Sequence, residues 1–209
     1  MKGKIIKIEP ISQKFHDIFR FTKRTAEVTL KDSSHHQFVR YVLETGPAVS
    51  VLPYFFDKKK DEWFVVMVSQ YRPAVDAVCL EAPGGLLENE KKVKHEMARE
   101  LLEEAGISVK PSSIKLTGIQ HLANSFCDQV LYSGIVDLKI DSAEKLLHLS
   151  QKHGGVASEK EFTQVVIRSL RGLLKNSSLI TYTLAKYQIN DLAVRLNYFS
   201  KNQKTKKSG

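Results

Sequence analysis

GLLENEKKVKHEMARELLEEAGI, residues 85–107, opens on a glycine, runs through one amphipathic helix and stops at a second glycine, Gly106. The pattern predicts a helix over 91–105 with Gly106 as its C-terminal signal. At about 100° per residue, Glu96, Glu100, Glu103 and Glu104 fall on one stripe. Val93, Met97, Leu101 and Leu102 lie mostly beside it, facing a core. A solvated acidic face is the bland reading of such a helix. Three features oppose it. The acids crowd the C-terminal half, where each is disfavoured by roughly a few tenths of a kcal/mol against the helix dipole. Glu100 and Glu104 are like charges one turn apart, destabilising without a cation between them. Arg99 stands four residues before Glu103, so its guanidinium can hold one carboxylate while others point elsewhere. A hard divalent cation takes several oxygen ligands at once and leaves room for water and phosphate.

Working outward, Pro83, Gly84 and Gly85 make a sharp break before the helix. Upstream, "AVSVLPYFF" (48–56) and "WFVVMVSQY" (63–71) read as strands, the second apolar enough to be buried on both faces. The first 45 residues read as four short strands at 4–10, 17–22, 26–32 and 38–44, a small antiparallel sheet with too little core to stand alone. After the helix come strands at about 114–122, 129–138 and 162–168, then a last helix over roughly 179–197. The class is α+β: an N-terminal β segment (1–45), a main domain (46–200) and a Lys-rich tail (201–209), expected to be disordered.

Apolar residues make up 42% and charged residues 26% of the 209, an ordinary globular balance that excludes a largely disordered or low-complexity chain. Net charge is +9, but Lys2, Lys4, Lys7, Lys201, Lys204, Lys206 and Lys207 supply seven of those charges, and without them +2 remains. Basic ends attract polyanions without specificity, so no specific nucleic-acid partner is expected. Two cysteines, Cys79 and Cys127, are too few for a disulfide framework and are read as buried free thiols. No run of 18 apolar residues appears, so a soluble, cytoplasmic protein without a membrane partner is expected. His35 and His36 would point to opposite faces of a strand and make a poor metal pair; Trp63 is read as core.

The helix segment resembles the Nudix box: Gly, five residues, Glu, seven residues, Arg-Glu-apolar-any-Glu-Glu, any, Gly, apolar. Gly85, Arg99, Glu100, Leu101, Glu103, Glu104, Gly106 and Ile107 match, eight of nine fixed positions. Lys91 stands where the pattern has Glu; Glu90 precedes it and is correctly spaced from Gly84, so a shift of register is conceivable. Upstream, "QYRPAVDAVCLEAPGG" (70–85) is similar to the lead-in of the ADP-ribose and nucleotide-sugar pyrophosphatase branch, with Gln70, Tyr71, Arg72, Glu81, Pro83 and Gly85 matching. Gly84 replaces an Ala whose backbone carbonyl binds metal in that branch, a change expected to be benign.

The resemblance implies a Nudix fold, a mixed sheet sandwiched between helices, preceded by a small sheet that helps form a homodimer. It implies Mg²⁺, or Mn²⁺ in its place, held by Glu100, Glu104 and the Gly84 carbonyl, with Arg99 orienting Glu103. Arg72, Glu81 and Glu161 would contact substrate, although Arg72 reads equally as a surface arginine at a strand end. "HGGVASEKEFTQVV" (153–166) is similar to the branch's loop carrying the general base, here Glu159 with Glu161 as partner, and reads alternatively as a charged hairpin. "LANSFCDQVLY" (122–132) departs from relatives at Ser125 and at Gln129, where they carry an acid. The implied activity is hydrolysis of the pyrophosphate in a nucleoside diphosphate derivative. Lys91 and Gln129 keep open a degenerate domain that binds a nucleotide or partner without cutting it, and the pI near 9.4 suggests, more distantly, an RNA enzyme.

Overall fold

A computed structural model describes residues 1–15, 18–87, 89–151, 153–155 and 162–199. The chain divides into two units. One comprises 1–48, 86–88 and 119–131, the other 49–85, 89–118 and 132–209.

The first unit is built on a three-stranded antiparallel sheet, β1 (Lys2–Pro10), β2 (Arg20–Thr29) and β3 (His35–Glu44), in the order β1-β2-β3. The two expected strands at 17–22 and 26–32 are one. RFTKRTAEVT contains no Gly, Pro, Asn or Asp to turn the chain, so its alternation continues for ten residues. A bulge between Ile5 and Lys7 inserts one residue, which brings Ile5 and Ile8 to the same face as Ala26 and Arg24. The end of β3 is tied to the 119–131 segment: Leu43 N–H donates to Phe126 O at 2.8 Å, and Arg24 Nη2 donates to Asp128 Oδ2 at 2.6 Å.

A larger sheet, most of whose residues fall in the second unit, has the order β10-β11-β5-β4-β9-β8. Its strands are β4 (Ala48–Asp57), β5 (Glu62–Arg72), β8 (Lys115–His121), β9 (Val130–Asp137), β10 (His153–Gly154) and β11 (Thr163–Ser169). The short β6 (Ala77–Glu81) pairs with β5, and β7 (Gly84–Leu86) with β4. β5 carries Val65, Val66, Met67 and Val68 at 2% exposure or less, a strand buried on both faces as its apolar run predicts.

Helices cover both faces of this sheet. α1 (Val93–Ala105) packs through Met97 onto Gly134 of β9, where an added Cβ would lie 2.8 Å from Met97 Sδ. On the other face, Val65, Met67 and Ile135 pack with Leu170 and Leu173 of α2 (Leu170–Lys175) and Ile189 and Leu192 of α3 (Thr183–Arg195). α1 starts two residues later than expected, behind a 3₁₀ turn at Glu90–Lys92. It ends at Gly106, left-handed at φ 66°, whose N–H reaches back to Leu101 and Leu102 carbonyls. Leu102 is half exposed rather than core-facing, because Met97 and Leu101 already fill that face.

The last helix begins at Thr183, not 179. The chain first makes a 3₁₀ turn at Ser177–Leu179, and Ile180 follows it in extended backbone. α2 was not anticipated: six residues show no period, and Gly172 reads as a breaker although Ser169 caps it at 3.0 Å. Trp63 is half-buried, its ring centroid 5.0 Å from Phe56 and 5.7 Å from Tyr54. Both cysteines are free, Cys79 buried but Cys127 only half so. No helix among the described residues is long and apolar enough to cross a membrane. Residues 200–209 lie outside the described residues.

Candidate active site

Arg72, Glu81, Gly84, Gly85, Arg99, Glu100, Glu103 and Glu104 all belong to the second unit. α1 presents Glu100 and Glu104 on successive turns, 6% and 4% exposed, toward the Gly84–Gly85 segment of β7. Gly84 N–H donates to Glu104 Oε2 at 2.9 Å. Glu100 lies so close to Gly85 that an added Cβ would be 2.3 Å from its Oε1. The two box carboxylates and the glycine strand therefore form one cluster.

Neither glycine has positive φ; both are required by close approach instead. At Gly84 a Cβ would stand 2.3 Å from Val49 O and 2.9 Å from Ser50 Cα, backbone atoms that cannot give way. An Ala side chain at position 84 would therefore need β4 to shift, which the sequence did not reveal. β4 passes too close.

Arg99 forks over three acids. Its Nε donates to Glu96 Oε2 at 2.9 Å, Nη2 to Glu100 Oε1 at 2.6 Å and Nη1 to Glu103 Oε2 at 2.5 Å. Burial opposes its charge, but the Glu96 bond and the charges of Glu100 and Glu103 hold its pKa above the usual arginine value. Lys91 is exposed, and Glu90 does not move into its place. The Glu90 carboxylate accepts from Tyr132 Oη at 2.6 Å.

Arg72 and Glu81 form a fork-to-fork pair across β5 and β6. Nε and Nη2 each lie 2.8 Å from a Glu81 oxygen, with Glu81 buried and the Arg72 side chain 44% exposed. The Glu81 bonds, working against burial, raise the Arg72 pKa, and Tyr182 and Glu104 add to the effect. Nη1 has no acceptor among the described residues.

Glu159 and Glu161 lie outside the described residues. The segment's described flanks are placed: Gly155 N–H donates to Glu103 O at 3.0 Å, and Thr163 Oγ1 to Glu104 O at 3.1 Å. Gly154 runs against the same carbonyl, with room for no Cβ (2.0 Å to Glu104 O). Sequence reasoning missed Gly154 and Thr163, and gave Glu96 no role. Only its position three residues before Arg99 signalled that last one.

Among the described residues no three His, Cys, Asp or Glu side chains group as a metal centre. The two buried carboxylates are nonetheless hard oxygen donors, and they suit an ion such as Mg²⁺ that keeps waters and takes substrate phosphates. His35 and His36 turn apart, to Thr29 Oγ1 at 3.2 Å and Ser34 Oγ at 3.1 Å.

No family model matches the chain. It is 32% identical over 117 residues to an ADP-ribose pyrophosphatase of Bacillus subtilis (strain 168), covering 55% of this chain and 56% of that one. It is 35% identical over 65 residues to an ADP-ribose pyrophosphatase of Saccharomyces cerevisiae (strain ATCC 204508 / S288c), covering 31% and 27%. These matches span about half and about a quarter of the relatives' lengths. A solved ADP compounds hydrolase superposes with a TM-score of 0.65 at 16% identity over 94% of this chain and 95% of its own. Over about half of its length the chain is thus similar to proteins named ADP-ribose pyrophosphatase, and the solved structure shares its fold. The fold is the Nudix fold, with the extra antiparallel sheet before it. Within that fold the segment that resembles the Nudix box is the strand–helix pair of β7 and α1.

Proposed function

We propose that this chain hydrolyses the pyrophosphate linkage of a nucleoside diphosphate derivative, ADP-ribose or a nucleotide sugar, to a nucleoside monophosphate and a phosphorylated fragment. One observation carries the reading: two buried carboxylates, Glu100 and Glu104, converge on Gly84–Gly85 beside the Arg99 fork. The names of the relatives support the substrate class.

Glu100, Glu104 and the Gly84 carbonyl would hold Mg²⁺, with Mn²⁺ as a substitute. Bound there, the ion offsets phosphate charge and lowers the pKa of a water. Arg99 disperses the acids' mutual repulsion and orients Glu103. Glu81 fixes two of Arg72's donors and leaves Nη1 for a phosphate oxygen. Glu159 is assigned as general base for the attacking water, and Glu161 as its partner in binding substrate. The anchoring of Gly155 and Thr163 on the Glu103 and Glu104 carbonyls supports that assignment, since described residues on either side of Glu159 in sequence are held by the acids' own backbone.

Exposed Ile5, Ile8 and Phe38 on the N-terminal sheet support a homodimer through that segment (1–45), with the hydrolase domain over 46–200. The proposed location is the cytoplasm. Lys91 favours one competing reading, a domain that binds nucleotides without cutting them.

Glu104→Gln tests the main reading. Turnover should fall by about a hundredfold or more while the melting temperature stays within a few degrees. A folded variant with full activity would sink the assignment.

A further inference from the structure

The box pattern carries an acid where this chain has Lys91, and the structure offers a different acid to the same cluster. Lys91 is exposed and Glu90 is engaged by Tyr132. Glu96 instead meets Arg99 Nε at 2.9 Å, and its side chain is 16% exposed against 31% for Glu103. An isolated i, i+3 pair on a helix contributes little to stability, so stability does not explain its burial.

Geometry gives it another use. The guanidinium is planar and rigid, so fixing Nε fixes the directions of both Nη groups. Those groups reach Glu100 at 2.6 Å and Glu103 at 2.5 Å. Without a third acid, one cation would bind two carboxylates and compete directly with any metal for Glu100. A carboxylate on Nε draws the positive charge back and leaves net negative charge on the Glu100 and Glu104 side. We infer that Glu96 is a positioning residue that anchors Arg99 Nε and offsets its charge, so that Glu100 stays available to a divalent cation despite Lys91. This rests on the metal-dependent reading proposed above.

The test is Mn²⁺ titration of the full chain, read by the electron paramagnetic resonance of free ion, for wild type, Glu96→Gln and Glu96→Asp, with melting temperatures alongside. Glu96→Gln should weaken Mn²⁺ binding about tenfold or more with an almost unchanged melting temperature. Its turnover should recover as Mn²⁺ is raised, a change in the metal's apparent KM rather than in kcat. Glu96→Asp, which keeps the charge, should retain most of the affinity. Wild-type affinity in Glu96→Gln would overturn the role of Glu96 alone, as would an equal loss in both variants. A wild type that binds no Mn²⁺ would overturn the underlying reading instead.

Discussion

Gly85 has no side chain because Glu100 occupies the space one would fill. Gly85→Ala would put a methyl 2.3 Å from Glu100 Oε1 and push that carboxylate off the strand. Mn²⁺ affinity should drop about 10–100-fold, measured by calorimetric titration, while circular dichroism stays native. Gly84→Ala strikes Val49 O, which belongs to the backbone of β4, so the whole strand must shift. That variant should lose about 1–3 kcal/mol of stability in urea titration. Box spacing identified Gly85, and the lead-in segment Gly84, but nothing in the letters separated a clash with a carboxylate from a clash with a strand. Asp57 shows the same limit. It is buried, and Ala143 N–H, then those of Lys60 and Lys59, hold its carboxyl below the ordinary range against burial's opposing push. A depressed folded pKa contributes stability above the unfolded value, near 3.9, and that contribution disappears as pH falls through the folded value. Asp57→Asn should therefore be less stable than wild type at neutral pH, with the two melting curves converging below about pH 4.

At the scale of elements, α1 is the part most legible from sequence. Its stop at Gly106, its buried Met97 and Leu101 and its acidic stripe all follow from a 3.6-residue period acting on strong signals. Short elements were less legible. α2 spans under two turns, β6 five residues and β7 three, too few for a period to register. The fusion of two expected strands into β2 has the opposite cause, since a polar stretch resembles a break yet holds no turn residue. The seat of α1 on Gly134 is also invisible in sequence, because it depends on which strand lies beneath Met97. Gly134→Val would force Met97 and Ile114 apart and should cost about 1–3 kcal/mol in denaturant unfolding. An unchanged midpoint would contradict the packing described.

At the scale of the molecule, the Nudix fold was readable because the box couples a glycine strand to an acidic helix, and that pairing dictates which elements meet. The partnership of the N-terminal sheet is a matter of surfaces. Ile5 and Ile8 share a face only through the bulge after Ile5, which strand periodicity alone does not reveal. Their exposure, 53% and 49%, predicts association through that sheet. Light scattering should give about twice the 23.7 kDa chain mass, and Ile8→Asp should shift it toward one chain. The central claim, that Glu100, Glu104 and Arg99 make a hydrolytic site, is tested most directly by substrate turnover. Purified protein incubated with Mg²⁺ and ADP-ribose, beside a panel of nucleotide sugars, should release a nucleoside monophosphate and a sugar phosphate, separable by ion-exchange chromatography. No product from any of these compounds, with Mg²⁺ or Mn²⁺, would contradict it and leave a nucleotide-binding domain in its place.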